Sequence, residues 1–235
     1  MKVIILAGGF GSRLSEYTEM IPKPMVQIGG IPIIVHIMNY YSFYGHKEFY
    51  LALGYKAEIF NEFFKSYSTP QDWNINLIDT GLETMTGGRL KRFEDVIGDD
   101  TFMLTYGDGL SNININELIK FHEKHRKLLT ISAVRPPARF GALEIDGNTV
   151  KKFTEKSQLD EGWINGGFFV CNRKVFSHLK NDATILEREP FEMIAKESEM
   201  MAYKHNGFWQ CMDTKRDKDL LDKMINNNFA PWIKL

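Results

Sequence analysis

Two kinds of hydrophobic pattern alternate along the first 134 residues. Short continuous apolar runs, such as Val3–Leu6, predict buried strands, whereas apolar residues that recur every three or four positions predict amphipathic helices. The predicted strands are Lys2–Ala7, Glu48–Leu53, Asn74–Asp79, Thr101–Thr105 and Leu128–Val134. The predicted helices are Pro32–Tyr44, Lys56–Tyr67, Arg89–Ile97 and Ile115–His125. Such alternation predicts an α/β fold with a doubly wound, mostly parallel sheet and helices on both faces.

The pattern changes after Arg135. Gly147-Asn148 separates two short strands, which predicts a hairpin. The elements predicted in this part are strands Gly141–Asp146, Thr149–Glu155, Ile164–Cys171 and Met200–Lys204, and helices Arg173–Leu179, Glu187–Lys196 and Arg216–Met224. We therefore expect one domain over residues 1–235, a Rossmann-like mixed sheet to which residues 136–235 add a small β-rich lobe.

The composition narrows the functional classes. The chain has 235 residues, of which 43% are hydrophobic, so it can bury a sizeable core. A net charge of −1 argues against a general nucleic-acid or membrane-surface binder, because neither polyanion would attract the whole molecule. No leader segment and no apolar run of about 18 residues is visible, so we expect a cytoplasmic protein with no membrane partner. Cys171 and Cys211 lie among apolar residues and are predicted to be buried free thiols.

The first strand is followed by a glycine-rich turn, Gly8-Gly9-Phe10-Gly11-Ser12-Arg13-Leu14, and then by Pro22-Lys23-Pro24. Glycines leave main-chain N–H groups open to anionic oxygens, and Arg13 and Lys23 supply positive charge, so the segment predicts a polyphosphate site. A Walker loop is excluded because no lysine follows the glycines. A nicotinamide oxidoreductase is disfavoured because Leu14 replaces the third small residue and no acid is suitably placed. A kinase is excluded because no His-Arg-Asp triplet follows.

Two carboxylates are candidate ligands of Mg²⁺, a cation that prefers oxygen ligands and substrate phosphates. Asp108 stands between two glycines at the end of a predicted strand. Asp213 follows the apolar, aromatic segment 207–212 and is the best second candidate. The alternatives are an ordinary Gly-Asp-Gly turn at Asp108 and an N-cap of the last helix at Asp213.

The motif L-x-G-G-x-G-x-R-L followed by K-P resembles the sugar nucleotidyltransferases, and the likeness extends over nearly the whole chain. Within that family, four segments resemble the glucose-1-phosphate cytidylyltransferases: Met85–Arg92, Tyr106–Gly109, Ile164–Phe169 and Gly207–Thr214. The related thymidylyl- and uridylyltransferases carry a Gln-Pro-x-Gly-Leu-type segment where this chain has Met85–Leu90, so the resemblance makes this segment the main indication of cytosine. Gly87 and Gly88 would permit close approach to a flat base. The alternative reading of the segment is the glycine-capped start of a basic helix, with Arg89, Lys91 and Arg92 in solvent.

The resemblance implies a role for each site residue. Arg13 and Lys23 would be catalytic, and Asp108 and Asp213 would hold Mg²⁺. The nucleotide would be bound by Leu6, Ala7, Gly8, Gly9, Gly11, Thr86, Gly87, Gly88 and Gly107. The sugar phosphate would be bound by Gly141, Glu155, Lys156, Asn165 and Gly166. The implied reaction is transfer of CMP from CTP to a phosphorylated acceptor, glucose 1-phosphate, by direct in-line attack, with residues 1–135 binding the nucleotide and 136–235 the acceptor.

Two departures from the family pattern concern the acceptor. This chain has Glu155-Lys156-Ser157 where the family often has Glu-Lys-Pro, and the stretch between Phe64 and Asn74 is short. The glucose-1-phosphate enzymes carry a longer insertion there, which is associated with subunit contacts. We expect a homo-oligomer, and we keep two alternatives: the same transfer to another phosphate ester, and a catalytically silent nucleotide-binding subunit. The presence of Arg13, Lys23, Asp108 and Asp213 together argues against the second. His122 and His125 are expected at the surface and not at a metal.

Overall fold

The computed structural model describes residues 1–98, 100–137, 142–154 and 162–234, apart from the side chains of Arg13, Ser15 and Ala142. Its centre is a seven-stranded mixed sheet with the order β12-β8-β11-β6-β1-β4-β5. The strands of this sheet are β1 (Val3–Leu6), β4 (Glu48–Leu53), β5 (Asn74–Asp79), β6 (Phe102–Tyr106), β8 (Leu129–Val134), β11 (Ile164–Cys171) and β12 (Met200–His205). All neighbours are parallel except β11, which runs antiparallel to β6 and β8. The predicted fold class is therefore confirmed.

Three two-stranded sheets surround the central one. They pair β2 with β3, β7 with β13 and β9 with β10. Their strands are β2 (Gln27–Ile28), β3 (Ile31–Pro32), β7 (Gly109–Ser111), β9 (Ala142–Asp146), β10 (Thr149–Thr154) and β13 (Trp209–Cys211). The pair β7–β13 matters most for function, because it joins the segment after β6 to the segment before the last helix.

Helices cover both faces of the central sheet. They are α1 (Ser15–Thr18), α2 (Ile33–Phe43), α3 (Ala57–Ser66), α4 (Thr86–Lys91), α5 (Glu94–Ile97), α6 (Ile115–His125), α7 (Glu189–Lys196) and α8 (Lys215–Asn226). Two apolar clusters result, one on each face of the sheet. Alternate residues of β1 enter them: Val3 and Ile5 lie in one, and Ile4 and Leu6 in the other. This two-sided burial explains why β1 is a continuous apolar run without polar alternation.

Most predicted elements have the expected bounds, and β4, β5, α6 and β11 agree residue for residue. The predicted helix Arg89–Ile97 is instead two short helices, α4 and α5, and the first begins at Thr86. The prediction for Arg173–Leu179 is also corrected, because Arg173–His178 forms a 3₁₀ helix. The short strand β7 was not predicted, since three residues give too short a pattern to recognise.

The surface position expected for His122 is wrong. Its side chain is only 5% exposed, and its Nδ1 lies 2.9 Å from the Thr130 hydroxyl. The His125 Nε2 lies 2.7 Å from the same hydroxyl oxygen. The pair therefore links α6 to β8 through one buried threonine, and burial lowers the pKa of His122 to about 4. Cys171 is a buried free thiol as predicted, whereas Cys211 is free but only half-buried.

A segment of the second half is tied to the start of α4. The main-chain N–H groups of Met85 and Gly87 donate to the carbonyls of Asp182 and Thr184, at 2.8 and 2.9 Å. A Cβ at Gly88 would lie 2.6 Å from the Asp182 main chain. The paired glycines therefore allow residues 182–184 to lie directly on the helix. Within the described parts of the chain, no helix is long and apolar enough to cross a membrane.

Candidate active site

A cavity of about 720 Å³ opens at the carboxyl ends of β1 and β6. This is the edge of a parallel sheet where ligands usually bind. Because β11 is antiparallel, its first residues reach the same edge, and the β7–β13 pair closes one side. The predicted site residues that line the cavity are Leu6, Ala7, Gly8, Gly9, Gly11, Lys23, Thr86, Gly107, Asp108, Asn165, Gly166 and Asp213.

Four predicted residues cannot be placed in this way, and two lie elsewhere. Gly141, Glu155 and Lys156 lie outside the described residues. The main chain of Arg13 lies in a short 3₁₀ helix, Ser12–Leu14, and its side chain is outside the description. Gly87 and Gly88 are buried behind the cavity lining, and a Cβ at either would meet the main chain of residues 182–184. Their observed close approach is thus to the protein itself and not to the cavity.

Lys23 lies between two carboxylates. Its Nζ is 2.6 Å from Asp108 Oδ2 and 2.6 Å from Asp213 Oδ1. The Lys23 side chain is 11% exposed and the two carboxylates are 29% and 24% exposed. Three residues that are far apart in the sequence therefore form one compact charged cluster, which we call the Lys23 cluster.

Local structure explains how the Lys23 cluster forms. Lys23 lies between Pro22 and Pro24 and begins a 3₁₀ turn, in which Met25 N donates to Pro22 O at 2.8 Å. Strands β7 and β13 pair Gly109 with Cys211, and the Met212 N–H donates to Asp108 O at 2.9 Å. This pairing lays the two aspartates side by side at the mouth of the cavity.

Asp213 is not the N-cap of α8, which was the alternative reading. Thr214 is the N-cap, and it forms a capping box with Asp217. The Asp217 Oδ2 also accepts the main-chain N–H of Asp213 at 3.2 Å. Because neighbouring residues satisfy the helix terminus, the Asp213 carboxylate is directed to Lys23 instead.

The charges of the cluster stabilise each other. Burial acts to lower the pKa of Lys23, but charge attraction and hydrogen bonds from Asp108 and Asp213 outweigh it, so the pKa is raised above its usual value. A raised pKa means that the folded protein holds this proton more tightly than the unfolded chain. The stabilisation is therefore fully present below pH 10.5, the usual lysine pKa, and is lost only as the pH rises through the higher folded value.

The residues present fit a hard divalent cation. Two carboxylate oxygens already converge on one positive charge. Within the described part of the chain no group of three or more His, Cys, Asp or Glu side chains is arranged to hold a metal. A site with two carboxylates leaves ligand positions for water and phosphate oxygens, which is the coordination that Mg²⁺ prefers.

Arg89 is buried and binds several separate segments, which the sequence did not predict. The alternative reading placed it in solvent, yet its side chain is only 4% exposed. Its guanidinium donates to Leu53 O, Thr80 Oγ1, Gly81 O, Gly8 O and Leu82 O at distances from 2.7 to 3.1 Å. Burial lowers the pKa of Arg89, and the nearby Asp79 charge opposes this. Arg89 thus fixes the glycine-rich turn to the end of β4 and to residues 80–82.

A polar network that the sequence analysis also missed lines the opposite part of the cavity. The carboxylate of Glu187 accepts the Tyr106 hydroxyl at 2.6 Å and the Thr86 hydroxyl at 2.7 Å. The Asn165 side-chain amide donates to the Tyr106 oxygen at 3.3 Å. Trp209 Nε1 donates to Gly166 O at 2.7 Å and so fixes the start of β11. Tyr106 belongs to the segment Tyr106–Gly109 that resembles the family, but Glu187 stands in no such segment, and only the fold brings the two residues together.

The sequence matches the nucleotidyl transferase family over residues 2–222. It is 46% identical to the glucose-1-phosphate cytidylyltransferase of Salmonella typhi, in an alignment covering 99% of this chain and 98% of the relative. It is 42% identical to the probable glucose-1-phosphate cytidylyltransferase of Bacillus subtilis, with 99% of both chains covered. The chain therefore belongs to the nucleotidyl transferase family, and the resemblance stated from its motifs is confirmed.

Solved structures support the same fold. HddC from Yersinia pseudotuberculosis, crystallised with GMP-PN, has a TM-score of 0.73 and 26% identity, over 95% of this chain and 99% of that one. A UDP-glucose pyrophosphorylase complexed with UDP-glucose has a TM-score of 0.73 at 16% identity, over 97% of this chain and 98% of that one. At that identity the second likeness concerns the fold alone.

The first prediction concerns Arg89. We expect Arg89→Lys to lower the free energy of unfolding by about 2–4 kcal/mol, because one ammonium cannot satisfy five separated acceptors in a buried site. Urea denaturation followed by circular dichroism measures this. The matched control is Arg92→Lys, since Arg92 is exposed and makes one surface ion pair with Asp182. Equal stability of the two variants would contradict the role assigned to Arg89.

Proposed function

We propose that the protein is a cytidylyltransferase that transfers CMP from CTP to glucose 1-phosphate and releases pyrophosphate. The observation that carries the proposal is the Lys23 cluster, which lies in the cavity beside the glycine-rich turn. The substrates are those of the relatives that are 46% and 42% identical over the whole chain. Family membership supports the reaction class.

The reaction needs no nucleophile from the protein. A phosphate oxygen of glucose 1-phosphate attacks the α-phosphorus of CTP, and the bond from that phosphorus to the β-phosphate bridging oxygen breaks. The electron pair leaves with pyrophosphate, and CDP-glucose is the product. A phosphate monoester has a second pKa of about 6, so the acceptor is largely a dianion near neutral pH and needs no general base. Positioning and charge stabilisation carry such a transfer.

On the nucleotide side, the main chain of Gly8, Gly9 and Gly11 binds the triphosphate, with Leu6, Ala7, Thr86 and Gly107 beside it. Lys23 and Arg13 stabilise the negative charge that develops on the transferring phosphoryl group. The cytosine lies near residues 85–88, where Thr86 faces the cavity; Gly87 and Gly88 shape that segment from behind.

Asp108 and Asp213 would hold Mg²⁺, which would supply positive charge to neutralise the phosphates. Lys23 now occupies the position between these carboxylates. The phosphates of CTP would offer the Lys23 ammonium a further anionic partner.

On the acceptor side, Asn165 and Gly166 bind the sugar, and Gly141, Glu155 and Lys156 complete the site, with Lys156 as the partner of the acceptor phosphate. We place the enzyme in the cytoplasm, where CTP is available, and expect a homo-oligomer. The alignments extend over 252 and 253 positions against 235 residues here, so these relatives contain extra residues. Because these relatives differ from this chain in length, glucose 1-phosphate is tested against other phosphate acceptors.

The second prediction is the activity itself. With CTP and Mg²⁺, the protein should release pyrophosphate with glucose 1-phosphate faster than with mannose 1-phosphate, galactose 1-phosphate or a non-sugar phosphate ester, and CTP should exceed dTTP, UTP and GTP. A coupled phosphate assay measures the rates, and mass spectrometry identifies CDP-glucose. Release only with another acceptor would keep the transfer and reassign the acceptor. No release in the presence of any combination would support a catalytically silent subunit.

The third prediction concerns Lys23. Lys23→Met should lower kcat about 100-fold or more, because it removes a charge that stabilises the transition state. The same variant should bind free Mn²⁺ more tightly than the wild-type protein, since no ammonium competes for the two carboxylates. Electron paramagnetic resonance of unbound Mn²⁺ measures this second effect. Lys223→Met, an exposed change on α8, is the control. Wild-type turnover by Lys23→Met would contradict the catalytic role, and weaker Mn²⁺ binding would contradict the competition.

The fourth prediction concerns Asp108. Asp108→Asn should abolish Mg²⁺-dependent turnover and weaken Mn²⁺ binding in the presence of CTP at least ten-fold, because a neutral amide is a poor ligand for a hard cation. Titration of Mn²⁺ at fixed CTP gives the affinity. Asp219→Asn, at an exposed position of α8, should leave both quantities unchanged. An Asp108→Asn variant with wild-type metal affinity would exclude Asp108 as a ligand.

A further inference from the structure

Glu187 links two parts of the cavity wall. It lies just before α7, at the end of the segment that is hydrogen-bonded to the start of α4. One carboxylate oxygen accepts the Thr86 hydroxyl, and the other accepts the Tyr106 hydroxyl. Thr86 belongs to the wall that we assign to the nucleotide, and Tyr106 contacts Asn165 in the wall that we assign to the acceptor.

The direction of every hydrogen bond in this network follows from Glu187. An ionised carboxylate only accepts, so both hydroxyls must donate to it. The single proton of Tyr106 is thereby used, and its oxygen accepts from the Asn165 amide nitrogen. The orientation of that amide is fixed independently, because its oxygen accepts the main-chain N–H of Gly167 at 2.8 Å. Burial, followed by the charge of Glu187, raises the pKa of Tyr106, so the phenol keeps its proton.

The hydrogen bonds of Thr86 also have fixed directions. The Thr86 oxygen accepts the main-chain N–H of Leu186 at 2.9 Å, and its own proton goes to Glu187 at 2.7 Å. The Thr86 hydroxyl is therefore committed as a donor inside the protein. Toward a nucleotide, the Thr86 oxygen can therefore only accept a hydrogen bond.

The network leaves a defined pattern for a ligand. Asn165 keeps its second amide proton, and each Glu187 oxygen keeps a second lone pair. A sugar hydroxyl can donate to a carboxylate and accept from an amide at the same time, so this pattern suits hydroxyls. A phosphate has only acceptors near neutral pH and is repelled by the carboxylate, which separates this wall from the phosphate-binding part around Lys23.

We propose that Glu187 is a positioning residue for the acceptor: it orients Tyr106 and Asn165 so that the cavity presents one amide donor and one carboxylate acceptor to a hydroxyl of the sugar phosphate. This inference rests on the proposed function. We expect Glu187 to affect binding of the acceptor and not of CTP. The Thr86 hydroxyl oxygen is held by the Leu186 N–H, so it faces the nucleotide in the same way whether or not residue 187 is charged.

The test is Glu187→Gln in the full-length protein, with KM measured separately for glucose 1-phosphate and CTP. The two hydroxyls donate to different oxygens of Glu187, and the substituted amide replaces one of these oxygens with an NH₂ group, so one hydroxyl loses its acceptor. Thr86 stays anchored through the Leu186 N–H, so the change falls on Tyr106 and its partner Asn165. We expect KM for glucose 1-phosphate to rise about ten-fold or more while KM for CTP stays within two-fold. Tyr106→Phe should give a similar rise, and the double variant should give less than the product of the two effects, because the groups act as one unit.

The matched control is Glu189→Gln, two residues further along, where the carboxylate pairs with Lys180 at the surface. Its KM values and Tm should match the wild-type protein. The role of Glu187 is overturned if Glu187→Gln keeps the wild-type KM for glucose 1-phosphate, if both KM values rise together with a fall in Tm, or if the two effects multiply fully. Turnover by the wild-type protein in the same assay tests the proposed function separately, so the two failures are distinguishable.

Discussion

The contact on which the site depends is the Lys23 ammonium held between the carboxylates of Asp108 and Asp213. It joins residues that are 85 and 190 positions apart in the chain. A lone charge that is nine-tenths buried would be strongly unfavourable, and so would two carboxylates facing each other without a cation between them. The positions of three separate loops are therefore coupled by one electrostatic requirement, which either Lys23 or a divalent cation can meet. This gives the free protein a formed site.

A second cation supports the glycine-rich turn from inside the protein. The Gly8 carbonyl accepts both the Arg89 guanidinium and the main-chain N–H of Tyr55. Its negative end therefore faces the protein interior and not the cavity, and this favours anions on the cavity side. All five acceptors of Arg89 are neutral, so among the described residues no carboxylate within hydrogen-bonding distance cancels its charge. The glycine-rich turn therefore leaves its main chain open on the cavity side, while Arg89 and the Tyr55 N–H hold the Gly8 carbonyl in one orientation.

The sequence predicted what depends on local pattern and missed what depends on partners that are distant in the chain. Periodicity placed β4, β5, α6 and β11, and turn chemistry placed Lys23 and Asp108 at the right edge of the sheet. The basic residues of Met85–Arg92 show the limit, since Arg92 is exposed whereas Arg89 is buried. Nothing local distinguishes the two, because the acceptors of Arg89 come from segments around residues 8, 53 and 80–82. Glu187 was not predicted as a site residue for the same reason, because its partners Tyr106 and Thr86 lie 81 and 101 residues away in the chain.

The two parts of the cavity differ in charge: the part around Lys23 is strongly charged, and the wall around Tyr106 is mostly neutral. The Lys23 cluster and the glycine-rich turn carry the charges and open main-chain N–H groups that suit phosphates and a divalent cation. The wall formed by Thr86, Tyr106 and Asn165 carries uncharged donors and acceptors around one carboxylate, and such groups discriminate by hydrogen-bond direction and shape. Relatives named for guanylyl transfer to mannose 1-phosphate, at 31% identity, differ from the cytidylyltransferases in both base and sugar. If the proposed assignment holds, a change of base or sugar would alter groups in this wall, while the charged end around Lys23 would serve the same phosphate chemistry.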